Sequence, residues 1–294
     1  MLRIIRNTIF AACLVAVAGC SSSGRSDAEG ARRLAVSIEP LRGLLAPLAA
    51  DRFEITTVMD RGGDPESFEP SMSSRMAVDH AEALFVAGGL PFEQKLAQGR
   101  GGDAVVSMAD VMVPVYGTHD HCGHVHHEGH SHDHGLPDPH VWTSIRSARA
   151  MARAMAAKLM QLDPEGAPLY AARLDSLDRS LGAADSTAAA RLAAAPSRAF
   201  MLWHPSLSYF ARDYGLQQVA LGAEGKDFSA SGIAEAINTA EASGARVFLV
   251  QRGLDPRQAM SVTRGTGVRT AEIDPMASDI AAQVLFIADE ISRQ

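Results

Sequence analysis

Short apolar runs alternate with longer segments of helical periodicity along most of this chain of 294 residues. In the first half, the runs favour β-structure, and apolar residues at three- and four-residue steps between them favour helices. The predicted strands are Leu34–Ile38, Ile55–Met59, Ala83–Ala87 and Ala104–Ser107, and the predicted helices are Leu41–Ala50, Ser73–His80 and Pro91–Gln98. This alternation of strands and helices indicates parallel sheets with crossover helices.

A second block with the same pattern begins near Arg198. Its predicted strands are Ala199–Trp203, Gln217–Ala220, Val247–Val250 and Thr270–Ile273, and its predicted helices are Ser206–Tyr214, Ala230–Ser243, Pro256–Gly265 and Ser278–Ile291. Two sets of four strands predict two α/β lobes of similar size. We place the first lobe at residues 33–143, including a histidine-rich loop at 117–136, and the second at 197–294.

The segment between the lobes, residues 144–196, shows helical periodicity and lacks strand patterns. One helix is predicted at Ser144–Gln161 and a longer one at Glu165–Ala194. The longer helix would measure about 45 Å at 1.5 Å per residue. A coiled-coil helix is the competing interpretation. The alanine-rich outer face and the short apolar seam of this segment disfavour a coiled coil. The predicted fold is therefore α/β, with two lobes, each a four-stranded and mostly parallel sheet flanked by helices, joined by a long rigid helix.

The N-terminus has the pattern of an export signal. Two early arginines precede an apolar run at residues 9–18, which is too short to span a bilayer. Val17-Ala18-Gly19-Cys20 resembles a bacterial lipobox, which predicts a signal peptide at 1–19, lipidation of Cys20 and a flexible tether at 20–32. An ordinary cleaved signal with an incidental cysteine is the alternative. The prediction is a membrane-anchored lipoprotein on the periplasmic or cell-surface face.

The charge balance argues against one class of partner. Removal of residues 1–19 would take away Arg3 and Arg6 and no acidic residue, which changes the formal charge from −7 to −9. A nucleic-acid partner is disfavoured because phosphate-binding surfaces need basic excess. Cys122 would be the single cysteine left beside the lipidated Cys20, so no intrachain disulfide is expected. We expect a monomer whose stability comes from its core.

The most conspicuous chemical feature is a tract that holds eight of the eleven histidines. Imidazole is a common ligand of zinc, copper and nickel, so the tract predicts metal binding. Many mobile ligands do not make one ordered site. The tract is therefore predicted to gather metal weakly as an accessory to another site, and a solvated loop without function is the alternative. Its histidines are His119, His121, His124, His126, His127, His130, His132 and His134.

More specific candidate ligands lie at the ends of predicted strands. His204 and Asp274 directly follow strands of the second lobe, and Glu66 lies in a loop beyond a strand of the first. Ligands of parallel sheets bind beyond the carboxyl ends of the strands. His140, in an Asp-Pro-His sequence, completes a set of two imidazoles and two carboxylates that suits zinc or manganese. Gln251 also follows a strand, but its neutral amide suits an outer position that supports the ligands.

Several of these segments occur in the order typical of a known family. The chain resembles zinc/manganese ABC-transporter substrate-binding proteins over about residues 33–294. The segments that carry the resemblance are Ser37–Pro40, Glu66–Pro70, Asp138–Trp142, His204–Phe210 and Ile273–Pro275. The resemblance implies two lobes joined by a long helix, a metal ion bound between them and a lipoprotein anchor.

The resemblance also implies that His140, His204 and Asp274 are ligands, and a histidine-rich loop before Asp-Pro-His is typical of the zinc branch. His204 favours zinc, because manganese binders of the family often carry Glu at this place. The chain departs from the family at Glu66, where family members commonly have histidine. A carboxylate can replace imidazole on zinc, so Glu66 is retained as a predicted ligand.

The expected function is therefore capture of Zn²⁺ between the lobes and delivery to an ABC permease and its ATPase, without catalysis. Import of Mn²⁺ or Fe²⁺ by the same fold is an alternative. A periplasmic zinc-dependent hydrolase, with Glu66 as the base beside a three-ligand zinc, is another. A metal-dependent adhesin or surface buffer would share the same sequence features.

Overall fold

The first lobe is built on four parallel strands, as the alternating pattern predicts. The structure is a computed structural model and describes residues 31–59, 64–116, 137–221, 230–253, 256–264 and 267–293. The strands lie in the order β2-β1-β3-β4. The elements of this lobe are β1 (Arg33–Ile38), α1 (Glu39–Ala49), β2 (Glu54–Met59), α2 (Met72–Asp79), β3 (Ala83–Val86), α3 (Pro91–Ala97) and β4 (Val105–Ser107).

The second lobe repeats this arrangement, with parallel strands in the order β6-β5-β7-β8. Its central strands are apolar runs because both faces of the sheet are covered, and every residue of β5 is buried. The elements are β5 (Ala199–Leu202), α6 (Ser208–Tyr214), β6 (Gln217–Ala220), α7 (Ala230–Ser243), β7 (Val247–Gln251), α8 (Pro256–Thr263), β8 (Arg269–Ile273) and α9 (Ile280–Ser292), which follow the connecting helices α4 (Ile145–Leu162) and α5 (Ala167–Ala193).

Strand order explains where a ligand can bind. In each sheet the chain first moves to one side of its opening strand and then crosses to the other side. The direction therefore switches between β1 and β3, and again between β5 and β7. The crevice beyond the carboxyl ends of the strands at such a switch point is the usual ligand position in open α/β sheets.

The connecting helices form one packed unit with both lobes. Helix α5 is 27 residues long and so spans about 40 Å. It packs against α4 and α9, and α4 also packs against α1. One hydrophobic core includes residues of both sheets and of these four helices, such as Leu45, Phe85, Met151, Leu181, Phe200 and Ile287. Separation of the lobes would therefore expose apolar surface that is now shared between them.

The ends of several elements differ from the sequence prediction for local reasons. Helix α1 begins at Glu39, two residues before its predicted start. Pro40 fits the first turn of a helix, because the N–H group that proline lacks would have no partner within the helix there. Helix α9 begins at Ile280 and not at Ser278, since the Asp279 side chain accepts a hydrogen bond from the Ala282 N–H and caps the helix. None of the described helices is both long and apolar enough to cross a membrane.

A buried polar cluster fixes the corner between α4 and α5. Asp163 Oδ2 accepts hydrogen bonds from Arg52 Nε and from the Tyr170 hydroxyl, each at 2.5 Å. The backbone N–H of Gly166 donates to the same carboxylate at 3.3 Å. The Arg52 and Tyr170 hydrogen bonds outweigh the effect of burial and lower the pKa of Asp163 to about 2. The cluster therefore joins the connector to the α1–β2 turn, where Arg52 lies.

We expect the Asp163→Asn variant to be less stable than the wild type by about 2–3 kcal/mol at pH 7, since a carboxyl pKa that falls to about 2 on folding stabilises by this amount. A lowered pKa stabilises the fold above the unfolded-state pKa of about 3.9, and this contribution is lost as the pH falls through the folded-state pKa. The difference between variant and wild type should therefore shrink from pH 5 downward and be about half as large at pH 3.

Urea unfolding of the two proteins at pH 7, 5 and 3 measures this difference. Asp175→Asn, a change at an exposed position of α5, is the matched control and should leave stability nearly unchanged. A constant difference between Asp163→Asn and the wild type over this pH range would contradict the role assigned to the charged carboxylate.

Candidate metal centre

Three predicted ligands converge in the cleft between the lobes. Glu66 Oε1 lies 3.1 Å from His204 Nε2 and 3.7 Å from His140 Nε2. The two Nε2 atoms are 3.2 Å apart. A tetrahedral zinc with bonds of about 2.0–2.1 Å separates its ligand atoms by about 3.3 Å. The three donor atoms therefore already have the spacing of one face of a zinc coordination sphere.

The orientation of His140 is set by Asp138. Asp138 Oδ1 lies 2.8 Å from His140 Nδ1 and also accepts a hydrogen bond from the His140 backbone N–H at 2.8 Å. A carboxylate accepts and does not donate, so it selects the tautomer with the proton on Nδ1. The lone pair of Nε2 is then directed at the other two donors, as in carboxylate–histidine–zinc arrangements.

Asp138 stays ionised although it is buried. Burial alone would raise the pKa of Asp138, but hydrogen bonds from the His140 side chain and backbone, together with one from Ser208, have the larger combined effect and lower it. The backbone carbonyl of Asp138 accepts a further hydrogen bond from the Tyr209 hydroxyl at 3.2 Å. Helix α6 of the second lobe thus holds the segment that presents His140.

Glu66 is presented by a turn that follows β2. Asp64 accepts hydrogen bonds from the Glu66 backbone N–H at 3.1 Å and from the Ser67 hydroxyl at 2.8 Å. The Glu66 side chain is 25% exposed, whereas that of His140 is only 6% exposed. The His204 side chain is also 25% exposed, so Glu66 and His204 are the accessible members of the set and His140 is the buried one.

His204 lies where β5 ends, at the switch point of the second sheet. The chain turns immediately after it, because the Ser206 N–H donates to the His204 carbonyl at 2.7 Å. Gln251 Nε2, at the end of β7, donates to the buried Ser206 hydroxyl at 2.7 Å. Gln251 therefore supports the turn that carries His204, consistent with the outer position predicted for it.

Asp274, the fourth predicted ligand, is not part of the converging set. Its Oδ2 accepts a hydrogen bond from Arg252 Nη1 at 2.7 Å, and its Oδ1 accepts one from the Met276 N–H at 3.1 Å. It nevertheless lies beside the site. Trp142, whose ring is 5.2 Å from the His140 ring, donates from Nε1 to the carbonyl of Pro275 at 2.9 Å.

Two residues that support the site were not among the predicted site residues. Asp138 orients His140, and Trp142 connects the His140 segment to the loop after β8. The Asp-Pro-His-Val-Trp sequence contains the signal for both, since the carboxylate two residues before the histidine reaches its ring. The spacing alone does not show which groups bond.

The two ends of the histidine-rich loop meet at the site. Tyr116 and Pro137 form an antiparallel bridge, and the Asp138 N–H donates to the Val115 carbonyl at 2.7 Å. The base of the loop is therefore only a few residues from His140. The eight histidines of the tract and Cys20 lie outside the described residues, so their predicted roles stay predictions.

The chain is similar to known proteins in both sequence and fold. A sequence model of the family described as "Zinc-uptake complex component A periplasmic" matches residues 34–288. The zinc-binding lipoprotein AdcA of Streptococcus pneumoniae is 22% identical over 274 residues, which are 90% of this chain and 54% of AdcA. The chain thus spans about half the length of this relative.

Solved structures share the fold. A crystal structure of ZnuA matches with a TM-score of 0.77 and 26% identity over 89% of this chain and 98% of that one. A manganese-bound periplasmic metal-binding protein from Candidatus Liberibacter asiaticus matches with a TM-score of 0.73 and 18% identity, over 89% and 98% of the two chains. The family match over most of the chain, with the same two-lobed fold, shows that this protein belongs to the family of periplasmic zinc-uptake complex A components.

Proposed function

We propose that this protein captures Zn²⁺ in the cleft between its lobes, outside the cytoplasm, and delivers it to an ABC importer composed of a permease and an ATPase. The observation that carries this proposal is the convergence of Glu66, His140 and His204 to within 3.7 Å of one another. Asp274 is the proposed fourth ligand. Metal is bound reversibly and no bond of a substrate is broken.

The donor set supports zinc as the cargo. Imidazole suits zinc better than manganese, which prefers oxygen ligands, and zinc also stands above manganese in the general order of affinities. The name of AdcA and the description of the family both refer to zinc. Manganese is bound by a protein of the same fold, so the fold alone does not select against manganese. The proposed preference for zinc therefore rests on the ligands.

The proposed location rests on the first residues of the sequence. The lipobox-like segment that ends at Cys20 supports lipidation and a membrane anchor, and AdcA is itself named a lipoprotein. The family is described as periplasmic. We therefore propose an anchored lipoprotein that presents its cleft to an importer in the same envelope.

The hydrolase alternative is not adopted. A catalytic zinc keeps an open position with a general base nearby. Glu66 Oε1 lies at ligand spacing from both imidazole nitrogens, at 3.1 and 3.7 Å, which suits coordination. The family and fold are those of solute-binding proteins, which are not enzymes.

Removal of a site histidine should abolish tight binding. We expect His140→Ala and His204→Ala to weaken zinc binding by more than about 100-fold, since even loss of an outer hydrogen-bond partner costs up to about that factor. Competition titration against a zinc chelator measures the affinity, and circular dichroism checks that the variants are folded. A chain that lacks residues 119–134 is the control and should keep one tight site. Loss of that site in the deletion would show that the ligands were assigned wrongly.

The charge on Asp138 should matter for affinity although Asp138 does not touch the metal. We expect Asp138→Asn to weaken zinc binding by about 10–100-fold, because a neutral amide no longer increases the basicity of the His140 ring. The same titration measures this effect. Asp178→Asn, on α5 and paired with Arg149, is the control that removes a carboxylate elsewhere and should bind as the wild type does. An unchanged affinity for Asp138→Asn would contradict the proposed orientation of His140.

Zinc should stabilise the protein more than manganese at the same free concentration. A ligand at about 1,000 times its Kd adds about 4 kcal/mol to stability. That corresponds to a rise in Tm of roughly 8–16 °C for a protein of this size. Thermal unfolding with buffered Zn²⁺ and Mn²⁺ measures the difference, and His204→Ala should lose the shift. An equal or larger shift with Mn²⁺ would make manganese the proposed cargo.

A further inference from the structure

The fourth predicted ligand, Asp274, is paired with an arginine. Arg252 Nη1 lies 2.7 Å from Asp274 Oδ2, and Arg252 Nε lies 3.3 Å from Glu272 Oε1. The guanidinium therefore bridges the carboxylates of Glu272, which is in β8, and Asp274, which directly follows it. The two residues are two positions apart and so lie on the same face. Neither carboxylate belongs to the set formed by Glu66, His140 and His204.

The two acidic partners of Arg252 differ in their surroundings. The Asp274 side chain is 15% exposed, whereas that of Glu272 is 66% exposed. Both oxygens of Asp274 are occupied, because Oδ1 accepts from the Met276 N–H and Oδ2 accepts from Arg252. Each oxygen of Asp274 thus has one hydrogen-bond donor from the second lobe.

The backbone of Arg252 is fixed while its side chain is free to turn. The Arg252 N–H donates to the Ile273 carbonyl at 2.8 Å, within the pairing of β7 and β8. The Arg252 side chain is 61% exposed, and its four-bond stem allows the guanidinium to leave Asp274. Glu272 can hold the guanidinium after it has left, so release of Asp274 does not leave a charge without a partner.

We propose that Arg252 is a latch, a residue that pairs with Asp274 before zinc is bound. When Glu66, His140 and His204 bind zinc, Arg252 releases Asp274, which then coordinates the ion. This inference rests on the proposed function, because it takes Asp274 as the fourth ligand. Binding of zinc then costs the loss of one ion pair, and re-formation of that pair helps the ion to leave. Arg252 is accordingly a positioning residue that lowers affinity and speeds release, both useful in a carrier that must deliver its cargo.

Loss of the latch should tighten binding only when Asp274 is present. An ion pair with an exposed partner is worth up to about 1 kcal/mol, so we expect Arg252→Gln to bind zinc about two- to fivefold more tightly and to release it more slowly by the same factor. Asp274→Asn should bind more weakly than the wild type. In the Arg252→Gln/Asp274→Asn double variant, the gain from Arg252→Gln should vanish.

Chelator competition gives the affinities, and stopped-flow transfer of zinc to a chromophoric chelator gives the dissociation rates. Arg179→Gln, at an exposed position of α5, removes the same charge away from the site and should change neither. A gain that persists in the Asp274→Asn background would show simple charge repulsion between Arg252 and zinc and would overturn the latch. Unchanged or weaker binding by Arg252→Gln would overturn it as well.

A crystal structure of the zinc-loaded full chain provides a direct test. An Asp274 oxygen should lie about 2.0–2.2 Å from zinc, with the Arg252 guanidinium on Glu272. Asp274 still paired with Arg252 beside a bound zinc would refute the latch while leaving the three-residue site intact. An unchanged zinc affinity in His140→Ala would instead refute the proposed function. The two failures are therefore distinguishable.

Discussion

The shared hydrophobic core is the constraint on which the metal centre depends. Glu66 comes from the first lobe and His204 from the second, yet their donor atoms lie 3.1 Å apart. Such an approach requires the two sheets to hold a fixed separation. The core provides it, because apolar residues of both sheets and of the connecting helices α4 and α5 pack into one cluster. An opening of the cleft would expose part of that surface, at about 25 cal/mol for each Å². The shared core therefore disfavours separation of whole lobes.

The segment that bears His140 forms the junction between this core and the chemistry of the site. His140 lies just before a short 3₁₀ turn, which is followed by Ser144, the N-cap of α4. The ring is held from one side by Asp138 and the segment from the other by Trp142, which bonds to the loop after β8. Tyr209 of α6 bonds to the Asp138 carbonyl. His140, the least exposed of the three converging residues, is thus the one that both lobes position.

Local pattern was sufficient to predict the two sheets and the long helix, because apolar runs are features of nearby sequence. The structure also brings together Glu66, His140 and His204, three of the four predicted ligands, and their binding of metal stays a prediction. The pairing of Asp274 with Arg252 was beyond such reasoning. These residues are 22 positions apart, and they meet only because Gln251 lies opposite Ile273 in the β7–β8 register. Asp163 and Arg52, which are 111 positions apart, form a pair that sequence pattern does not reveal for the same reason. Pairing across elements depends on register and packing, which composition and periodicity do not specify.

The proposed ligand set and its surroundings would suit a site that both binds zinc and releases it. With Glu66 as the one carboxylate among three ligands, a bound Zn²⁺ keeps a net charge of +1, and Asp274 as fourth ligand would make the centre neutral. A zinc site with three imidazoles would gain partial charge compensation from its first carboxylate, whereas in this chain Glu66 would already supply that carboxylate. The benefit from Asp274 is therefore smaller in this chain, and an exposed arginine can compete for it. In the proposed site, Glu66 and Arg252 would therefore both act on the charge balance around the bound ion.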